Sequence, residues 1–455
     1  MHRFEKRVLL PEDLKPIGSL GDYKRRGGLS GLDKARAMTP QQIIDEVKKA
    51  NLRGRGGAGF PAAIKWQTVK DAPDEKKYLV CNFAEGEPGT CKDRYLISKN
   101  PYNLFEGLLI VSRAINARQA IIGTKKKFKS TLEILYRAAA EFEKAGLCDK
   151  DFLRIVEGPD EYLLGEEKGL LETVDGRAPM PRFFPPFMVG VGAGPTETNP
   201  TVVNNAETLS HVPNILRNGA DWFKSMGTVD TPGTIIMTLS GDIKNPGMYE
   251  LQPGITVKEL LYDLGGGPIG DKPLRAVFSG FSNRVLTPEH FHLKMDFGTL
   301  RAAGFGLGSC GFIVYDESRC MVEMAWIISK FLSIASCGQC IPCNMGTRVI
   351  TEHLDNLEFG AGSQDDIDKI FQEAARCANQ TRCFLSNQES ILMPNIIKTF
   401  RKDFDHHAGS GCNYVHPIVI PKIQSFDEEK RQFILEEYPK EFLECDRYFA
   451  RFAHR

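Results

Sequence analysis

The chain has no net charge: 58 Lys and Arg stand against 58 Asp and Glu in 455 residues. That balance excludes the basic excess by which a nucleic-acid binder neutralises phosphates, so no nucleic-acid partner is expected. No apolar run approaches the ~18 residues of a membrane span, so any membrane attachment is expected to be indirect, through partners. The N-terminus, Met1-His2-Arg3-Phe4-Glu5-Lys6-Arg7, has no apolar signal core, and Glu5 argues against an organelle transit peptide. A cytoplasmic location is the expectation. Cysteine is too sparse, at twelve residues, for a disulfide scaffold. Clear repeats and low-complexity segments are absent. What remains is a large globular chain, 42% hydrophobic, long enough for about three domains.

The cysteines that are present are not evenly spread. Three fall in Ser336-Cys337-Gly338-Gln339-Cys340-Ile341-Pro342-Cys343, a C-x2-C-x2-C run. One short loop thus presents three thiolates to one centre. Structural zinc usually takes its ligands as two separated pairs. Three at this spacing fit better over three corners of an iron–sulfur cube, which then needs a fourth cysteine. Cys383, in Thr381-Arg382-Cys383, offers it. Cys81, Cys91, Cys148, Cys310, Cys320, Cys377, Cys412 and Cys445 read as core or surface thiols.

Residues 1–38 are polar with glycine turns at Gly27-Gly28 and Gly31, and read as an extended arm. A helix then starts with Thr39 as cap, Pro40 in the first turn and Gln42 closing a capping box. It runs into Leu52-Arg53-Gly54-Arg55-Gly56-Gly57-Ala58-Gly59-Phe60-Pro61. Gly54, Gly56 and Gly59 spell G-x-G-x-x-G, but a helix precedes it and no acid sits at 79, so the dinucleotide fingerprint is a poor fit. The chemistry still suits a phosphate. Glycines let backbone N–H groups approach an anion, Arg53 and Arg55 add charge, and Pro61 opens a helix whose N-terminus favours negative charge. Lys65, one turn in, could reach the same ligand.

Tyr78-Leu79-Val80-Cys81 reads as a buried strand that delivers Asn82, Glu85 and Glu87 at its C-terminal end, where ligands of α/β sheets bind. Residues 102–146 read as helix, strand (Ala120–Gly123) and helix. Tyr162-Leu163-Leu164-Gly165-Glu166-Glu167 repeats the pattern of a strand, a glycine and paired acids. Pro179 to Pro186 must be an irregular loop. Val202-Val203-Asn204-Asn205-Ala206-Glu207-Thr208 carries two asparagines into a helix start, where they bind a ligand or merely cap the helix.

From Gly233 a second domain reads as strand (Ile235 to Gly241), turn (Asn245-Pro246-Gly247), strand (Met248 to Leu251), and a short helix opened by a Thr256-x-x-Glu259 capping box. More strands follow through Ile313-Val314-Tyr315. This suggests a small β-grasp module without chemistry of its own. From Met321 the pattern is helical, with four apolar stripes, the fourth opened by Ser386-x-x-Glu389. The cysteine loop lies between helix ends. His406-His407 reads as a surface pair, and residues 408–455 as a tail.

Five motifs in register carry a resemblance: R-G-R-G-G-A-G-F-P, N-x-x-E-x-E-P-G-T-x-K-D-R, Y-x-x-G-E-E, V-N-N-x-E-T, and C-G-x-C-x-P-C with a later T-x-C. In that order the chain, over about residues 39 to 405, resembles the flavin-bearing, NADH-oxidising subunits of respiratory complex I. Related subunits serve soluble NAD-linked hydrogenases and formate dehydrogenases. The residues thus read as an arm (1–38), an α/β domain (39–232), a β-grasp, ubiquitin-like domain (233–320), a four-helix bundle (321–407) and a tail (408–455), and the resemblance matches this order, with flavin in the α/β domain and an iron–sulfur cluster in the bundle. It implies FMN held by Gly54, Arg55, Gly56, Gly57 and Gly59, with Lys65, Asn82, Glu85, Gly165, Glu166, Asn204, Asn205 and Thr208. NADH would stack over the flavin near Phe60, Glu87, Glu167 and Phe187, with Glu87 acting by orientation and electrostatics. A [4Fe–4S] cluster would sit on Cys337, Cys340, Cys343 and Cys383. Implied partners are a small [2Fe–2S] thioredoxin-like subunit and a larger iron–sulfur subunit within a multi-subunit complex.

The chain departs from the family pattern around the flavin. Ala84 stands where the family has an acid, Phe184 replaces the lysine before the double proline, and Thr68 replaces an aromatic. Met188 to Pro200 is longer than usual, and Asn344 replaces the arginine after the third cysteine. Loss of a carboxylate and a lysine changes the charge of one pocket and hence its potential. Two electron-transfer readings follow: a complex I subunit, or a homologous subunit of a soluble or electron-bifurcating complex with another donor or direction. A third, a paralogue that only docks partners, is opposed by the intact cysteines and glycine loop.

Overall fold

The computed structural model describes residues 2–379, 381–410, 412 and 420–437. Its first sheet has four strands: β1 (Tyr78–Phe83), β2 (Gln119–Lys125), β3 (Leu153–Gly158) and β4 (Thr201–Asn205). They run in the order β3-β2-β1-β4, all parallel. Apolar runs such as Leu79-Val80-Cys81 are buried throughout, because helices cover both faces of a parallel sheet. Leu79, Cys81 and Val202 face a large core with helices Pro40–Lys49, Ala62–Asp71, Pro101–Ile115 and Ala206–Asn218. Val80, Ile121 and Val203 face a smaller one with Leu170, Leu171 and Val174 of helix Glu167–Val174. The register sets Asn82 of β1 beside Asn205 of β4. Both therefore stand at the carboxyl edge of the sheet.

The expected strand at Tyr162 is instead a single 3-10 turn, Tyr162–Gly165; the strand lies earlier, as β3. The N-terminal stretch is not an extended arm. It forms helices Leu20–Arg25 and Ser30–Arg36, whose Leu20, Tyr23 and Leu32 join the large core with Ile17. Buried Glu106 accepts the Leu29 and Leu32 backbone N–H groups at 2.9 Å.

A second sheet holds β5 (Ile235–Gly241), β6 (Gly247–Leu251), β7 (Leu274–Ser279) and β8 (Gly311–Asp316), in the order β6-β5-β8-β7. The central β5 and β8 are parallel; the outer pairs are antiparallel. Thr256 and Glu259 exchange the two capping-box bonds, but the helix they open is wound as a π-turn over Glu259–Leu264. Helices Met321–Ala335, Ile341–Glu358, Gln364–Cys377, Leu385–Thr399 and Arg401–Ser410 complete the chain's helical part. Ser386 does not cap: helix Leu385–Thr399 already includes it, and Glu389 is buried, accepting a bond from Ser329 at 2.5 Å. His406 is exposed, but His407 is buried, contrary to a surface pair.

The described part of the tail turns back. β9 (Ile423–Asp427) and β10 (Gln432–Leu435) form an antiparallel hairpin. It lies against the loop after β1: Gly89 N–H donates to Pro421 O at 2.7 Å, and Arg94 donates to Gln424 O at 2.8 Å. Tail positions 413–419 and 438–455, with Cys445, lie outside the described residues. Among the described residues no helix is long and apolar enough to cross a membrane.

Candidate functional site

Three parts of the chain meet over the carboxyl edge of the parallel sheet and leave a branched cleft. One arm is lined by Gly54, Gly56, Gly59, Phe60, Lys65, Asn82, Gly165, Glu167, Asn204, Asn205 and Thr208. A second, sharing Gly56, Asn82, Gly165 and Asn205, adds Glu85, Glu87 and Glu166. A third runs past Gly57, Glu87 and Glu166 to the mixed-sheet unit. Most of the nominated residues thus converge.

The glycine loop is shaped by close approach. Gly57 and Gly59 have φ of 126° and 62°, left-handed values that favour glycine. A Cβ at Gly59 would lie 2.7 Å from the Phe297 ring, and one at Gly56 would lie 3.1 Å from Asn205 Cβ. Thr208 Oγ1 accepts the Arg55 N–H at 2.8 Å. The arginines, however, do not supply charge to the cleft. The buried Arg55 guanidinium donates to Thr234 O, Arg53 O and Pro232 O. Arg53 donates to Asp230 O and Gly59 O. Both brace the loop from behind. Lys65 is the loop's facing cation, 2.8 Å from Glu167.

Asparagine roles divide. Asn82 donates to Gly165 O at 2.7 Å and so ties β1 to the 3-10 turn. Asn204 accepts from Trp66 Nε1 at 2.7 Å. Asn205 caps helix Ala206–Asn218 by accepting Glu207 N–H at 3.0 Å, and donates to Asp93 at 2.6 Å.

Beneath these lies a buried charge cluster that sequence patterns did not assign. Lys92 is 2.7 Å from Asp93 and 2.8 Å from Glu207, and Glu85 is 2.9 Å from Arg94. Burial works against the Lys92 ammonium, but Asp93, Glu207 and Glu85 outweigh it and hold it above its ordinary range. Burial, with Glu85 and Glu207, raises the Asp93 carboxyl despite Lys92. The one local sign of this was the lysine–aspartate pair in the K-D-R stretch, because the carboxylate that completes it, Glu207, is remote in sequence.

Glu87 is where the three parts touch. Its carboxylate accepts from Tyr162 Oη at 2.5 Å and from Phe281 N–H of the mixed-sheet unit at 2.7 Å. Gln388 of the helical unit donates to Tyr162 Oη at 2.7 Å. Burial raises the Glu87 carboxyl, opposed by the Phe281 and Tyr162 bonds. Glu166 caps helix Glu167–Val174 through Lys168 and Gly169 N–H, and burial pushes its carboxyl up to about 7. The mixed-sheet unit is therefore not without a part in the site: Ser282, Arg301 and Ser309 also line the cleft. Phe187 is half exposed on the proline loop and does not line these arms. Ala84 does line the cleft, whereas Thr68 is exposed on its helix and Phe184 packs edge-on to Phe183.

The cysteine loop adjoins this cleft. Cys337 and Cys340 lie between helices Met321–Ala335 and Ile341–Glu358, Cys343 in the first turn of the latter, and Cys383 just before helix Leu385–Thr399. None of the four is in a disulfide. Burial, with Glu166, Cys337 and Cys343 as neighbours, pushes the Cys383 thiol up to about 12. Two helix N-termini open beside the thiols, placing partial positive charge where an anionic cluster would sit. Phe384, Leu385 and Gln388, next along the chain from Cys383, line the cleft itself. Lys168 donates to Arg382 O.

The comparisons place the chain among flavin- and iron–sulfur-binding oxidoreductase subunits. Residues 47–214 match the Nuo51 FMN-binding domain, residues 236–277 an SLBB domain, and residues 323–407 the iron–sulfur binding region of NADH-ubiquinone oxidoreductase-F. The second NADH-quinone oxidoreductase F subunit of Rhizobium meliloti (strain 1021) is 36% identical over 414 residues, covering 89% of this chain and 98% of that protein. The corresponding F subunit of Rickettsia massiliae (strain Mtu5) is 37% identical over 403 residues, covering 86% and 94%. A chain of an NAD+-reducing [NiFe]-hydrogenase in the H2-reduced state superposes with a TM-score of 0.76 at 30% identity, over 86% of this chain and 66% of that one. The chain belongs to the family of NADH-quinone oxidoreductase F subunits.

Proposed function

We propose that this chain oxidises NADH by hydride transfer to FMN and passes electrons singly to a [4Fe–4S] cluster, as the electron-input subunit of an NADH:quinone oxidoreductase. The carrying observation is the continuity of the two sites: the residues that follow Cys383 form a wall of the glycine-lined cleft. Bound FMN supplies the exchange between a two-electron donor and a one-electron acceptor. The residues fit such a group. The loop from Gly54 to Gly59 leaves room for backbone N–H groups at a phosphate, with Lys65 as the cation. Asn82, Glu85, Gly165, Glu166, Asn204, Asn205 and Thr208 bound the same space. Phe60, half exposed at the rim, and Glu167 border the nucleotide side. Glu87, fixed by Tyr162 and Phe281, orients the nicotinamide and acts on it electrostatically. Cys337, Cys340, Cys343 and Cys383 hold the cluster.

On this reading the units are an FMN domain (39–232), a β-grasp domain (233–320) and a helical cluster domain (321–407). Parallel central strands flanked by antiparallel ones support the second assignment. Arg401–Ser410 adds a fifth helix to the expected four. Electrons leave to a [2Fe–2S] thioredoxin-like subunit and a larger iron–sulfur subunit, with the complex peripheral on the cytoplasmic face of a membrane.

The likeness to a hydrogenase chain, together with Ala84 in the cleft, favours one second reading: a soluble complex with another donor or direction. An anaerobic NADH titration of the cluster-replete protein with its small partner, followed by flavin absorbance, separates them. Bleaching at stoichiometric NADH is expected. A flavin that stays oxidised with NADH but is reduced by dithionite would transfer the assignment to the second reading.

A further inference from the structure

Helix Met321–Ala335 has the cysteine loop at its C-terminal end. At its other end, about 22 Å away for 15 residues, four donors from separate stretches meet. Cys320 precedes the helix, Glu358 ends Ile341–Glu358, His407 lies in Arg401–Ser410, and Cys412 follows it. Their ligating atoms all lie within 4.8 Å of one another, and Cys320, Glu358 and His407 are buried. Cys320 Sγ is 3.4 Å from His407 Nε2 and 3.9 Å from Glu358 Oε2. His407 Nε2 is 3.6 Å from Glu358 Oε2.

These separations have the scale of a coordination shell. Ordinary zinc bond lengths at tetrahedral angles put sulfur about 3.6 Å from nitrogen or oxygen, and nitrogen about 3.4 Å from oxygen. The outer contacts are also those of a ligand set. His407 Nδ1 is 2.7 Å from Asp403 O. A carbonyl only accepts, so the proton sits on Nδ1 and the Nε2 lone pair faces the centre, as in metal-bound histidines. Glu323 N–H donates to Cys320 Sγ at 3.4 Å, a contact that favours the thiolate. Two thiolates with an imidazole select zinc over magnesium or calcium, which take oxygen ligands, and are too few sulfurs for a cubane cluster.

We propose that Cys320, Glu358, His407 and Cys412 form a closed, structural zinc site, separate from the iron–sulfur centre and from the redox reaction. It pins the last helix of the bundle to the start of the first and the end of the second. It also fixes where the tail departs before residues 420–437 return to the loop after β1.

Metal analysis of the full-length, anaerobically purified holoprotein tests this. About one zinc per chain is expected beside about four irons. Zinc K-edge absorption should show two sulfurs at about 2.3 Å and two lighter ligands near about 2.0 Å. Cys412→Ser, at the half-buried ligand, should lose zinc at least fivefold on dialysis against a chelator while keeping its iron; Cys383→Ala should do the reverse. Zinc below about a tenth per chain in iron-replete protein, a shell without sulfur, or undiminished zinc in Cys412→Ser would overturn the assignment. So would a Cys320–Cys412 disulfide in non-reducing peptide maps.

Discussion

The cleft and the cysteine loop lie side by side but are held in opposite ways. In the cleft, nearly every polar side chain already has a protein partner: Asn82 with Gly165, Asn205 with Asp93, Lys65 with Glu167, Glu87 with Tyr162 and Phe281. The chain's own contacts therefore define the shape of the cleft. The thiols have little comparable support. Cys343 has Ser336 at 3.5 Å and Cys337 has Gln339 at 3.4 Å, and three of the four are partly exposed. On the proposed assignment their geometry is completed by the cluster they hold. One site is preorganised by the chain; the other, on that assignment, is organised by an inorganic group.

The largest break in this comparison is Cys383→Ala. Three remaining thiols leave one corner of a cube without a protein ligand. Iron per chain should fall by more than half and electron transfer to the partner should fall at least a hundredfold, while FMN content holds because no cleft contact is removed. Unchanged iron would exclude Cys383 as the fourth ligand; parallel loss of FMN would show that the two sites are not independently built.

Lys92→Met tests the other half. It leaves Asp93 and Glu207 buried without their cation, and breaking such a pair from one side costs about 3–5 kcal/mol. The urea midpoint should drop accordingly and FMN should be lost, with iron retained in the protein that stays folded. An unchanged midpoint would mean that the cluster of charges is not what shapes the cleft.

How far these sites were legible follows from the distance between their parts along the chain. The C-x2-C-x2-C run and the glycine loop are local: spacing singles out the first, and the density of glycine and basic residues the second. Asn82 beside Asn205 needs a parallel β1–β4 register across 123 residues of chain, which no local pattern encodes. Phe281 and Gln388 reach Glu87 from two other units for the same reason, so the mixed-sheet unit was expected to carry no chemistry. Arg55 and Arg53 were assigned by charge, but carbonyls at Thr234, Pro232 and Asp230, all remote in sequence, compete for them and win. Ser386-x-x-Glu389 has the capping-box pattern, yet the helix begins before it and Ser329 claims the glutamate. Residues 1–38 average polar, which hides the apolar face of Ile17, Leu20, Tyr23, Leu29 and Leu32.

The smallest effect concerns a carboxylate in neither site, and it tests whether hydrogen bonds from the chain itself are enough to hold buried charge. Glu250 accepts from Val8, Leu9 and Leu10 N–H groups and from Thr234 Oγ1. Burial pushes its carboxyl up to about 7 against those four donors. Relative to an unfolded glutamate near about 4.3, the native state then holds a proton that the opened state has lost. Its contribution to stability is fully present below pH about 4.3, is lost as pH rises through about 7, and is flat above, with a slope of at most about 1.4 kcal/mol per pH unit. Hydrogen-exchange protection of residues 8–10, corrected for intrinsic rates, should therefore fall by up to about tenfold per unit between pH 5 and 7. In Glu250→Gln it should be lower but flat. If the two profiles are parallel, the four donors fully offset burial, Glu250 stays ionised, and the chain's own bonds suffice to hold a buried carboxylate without a cation.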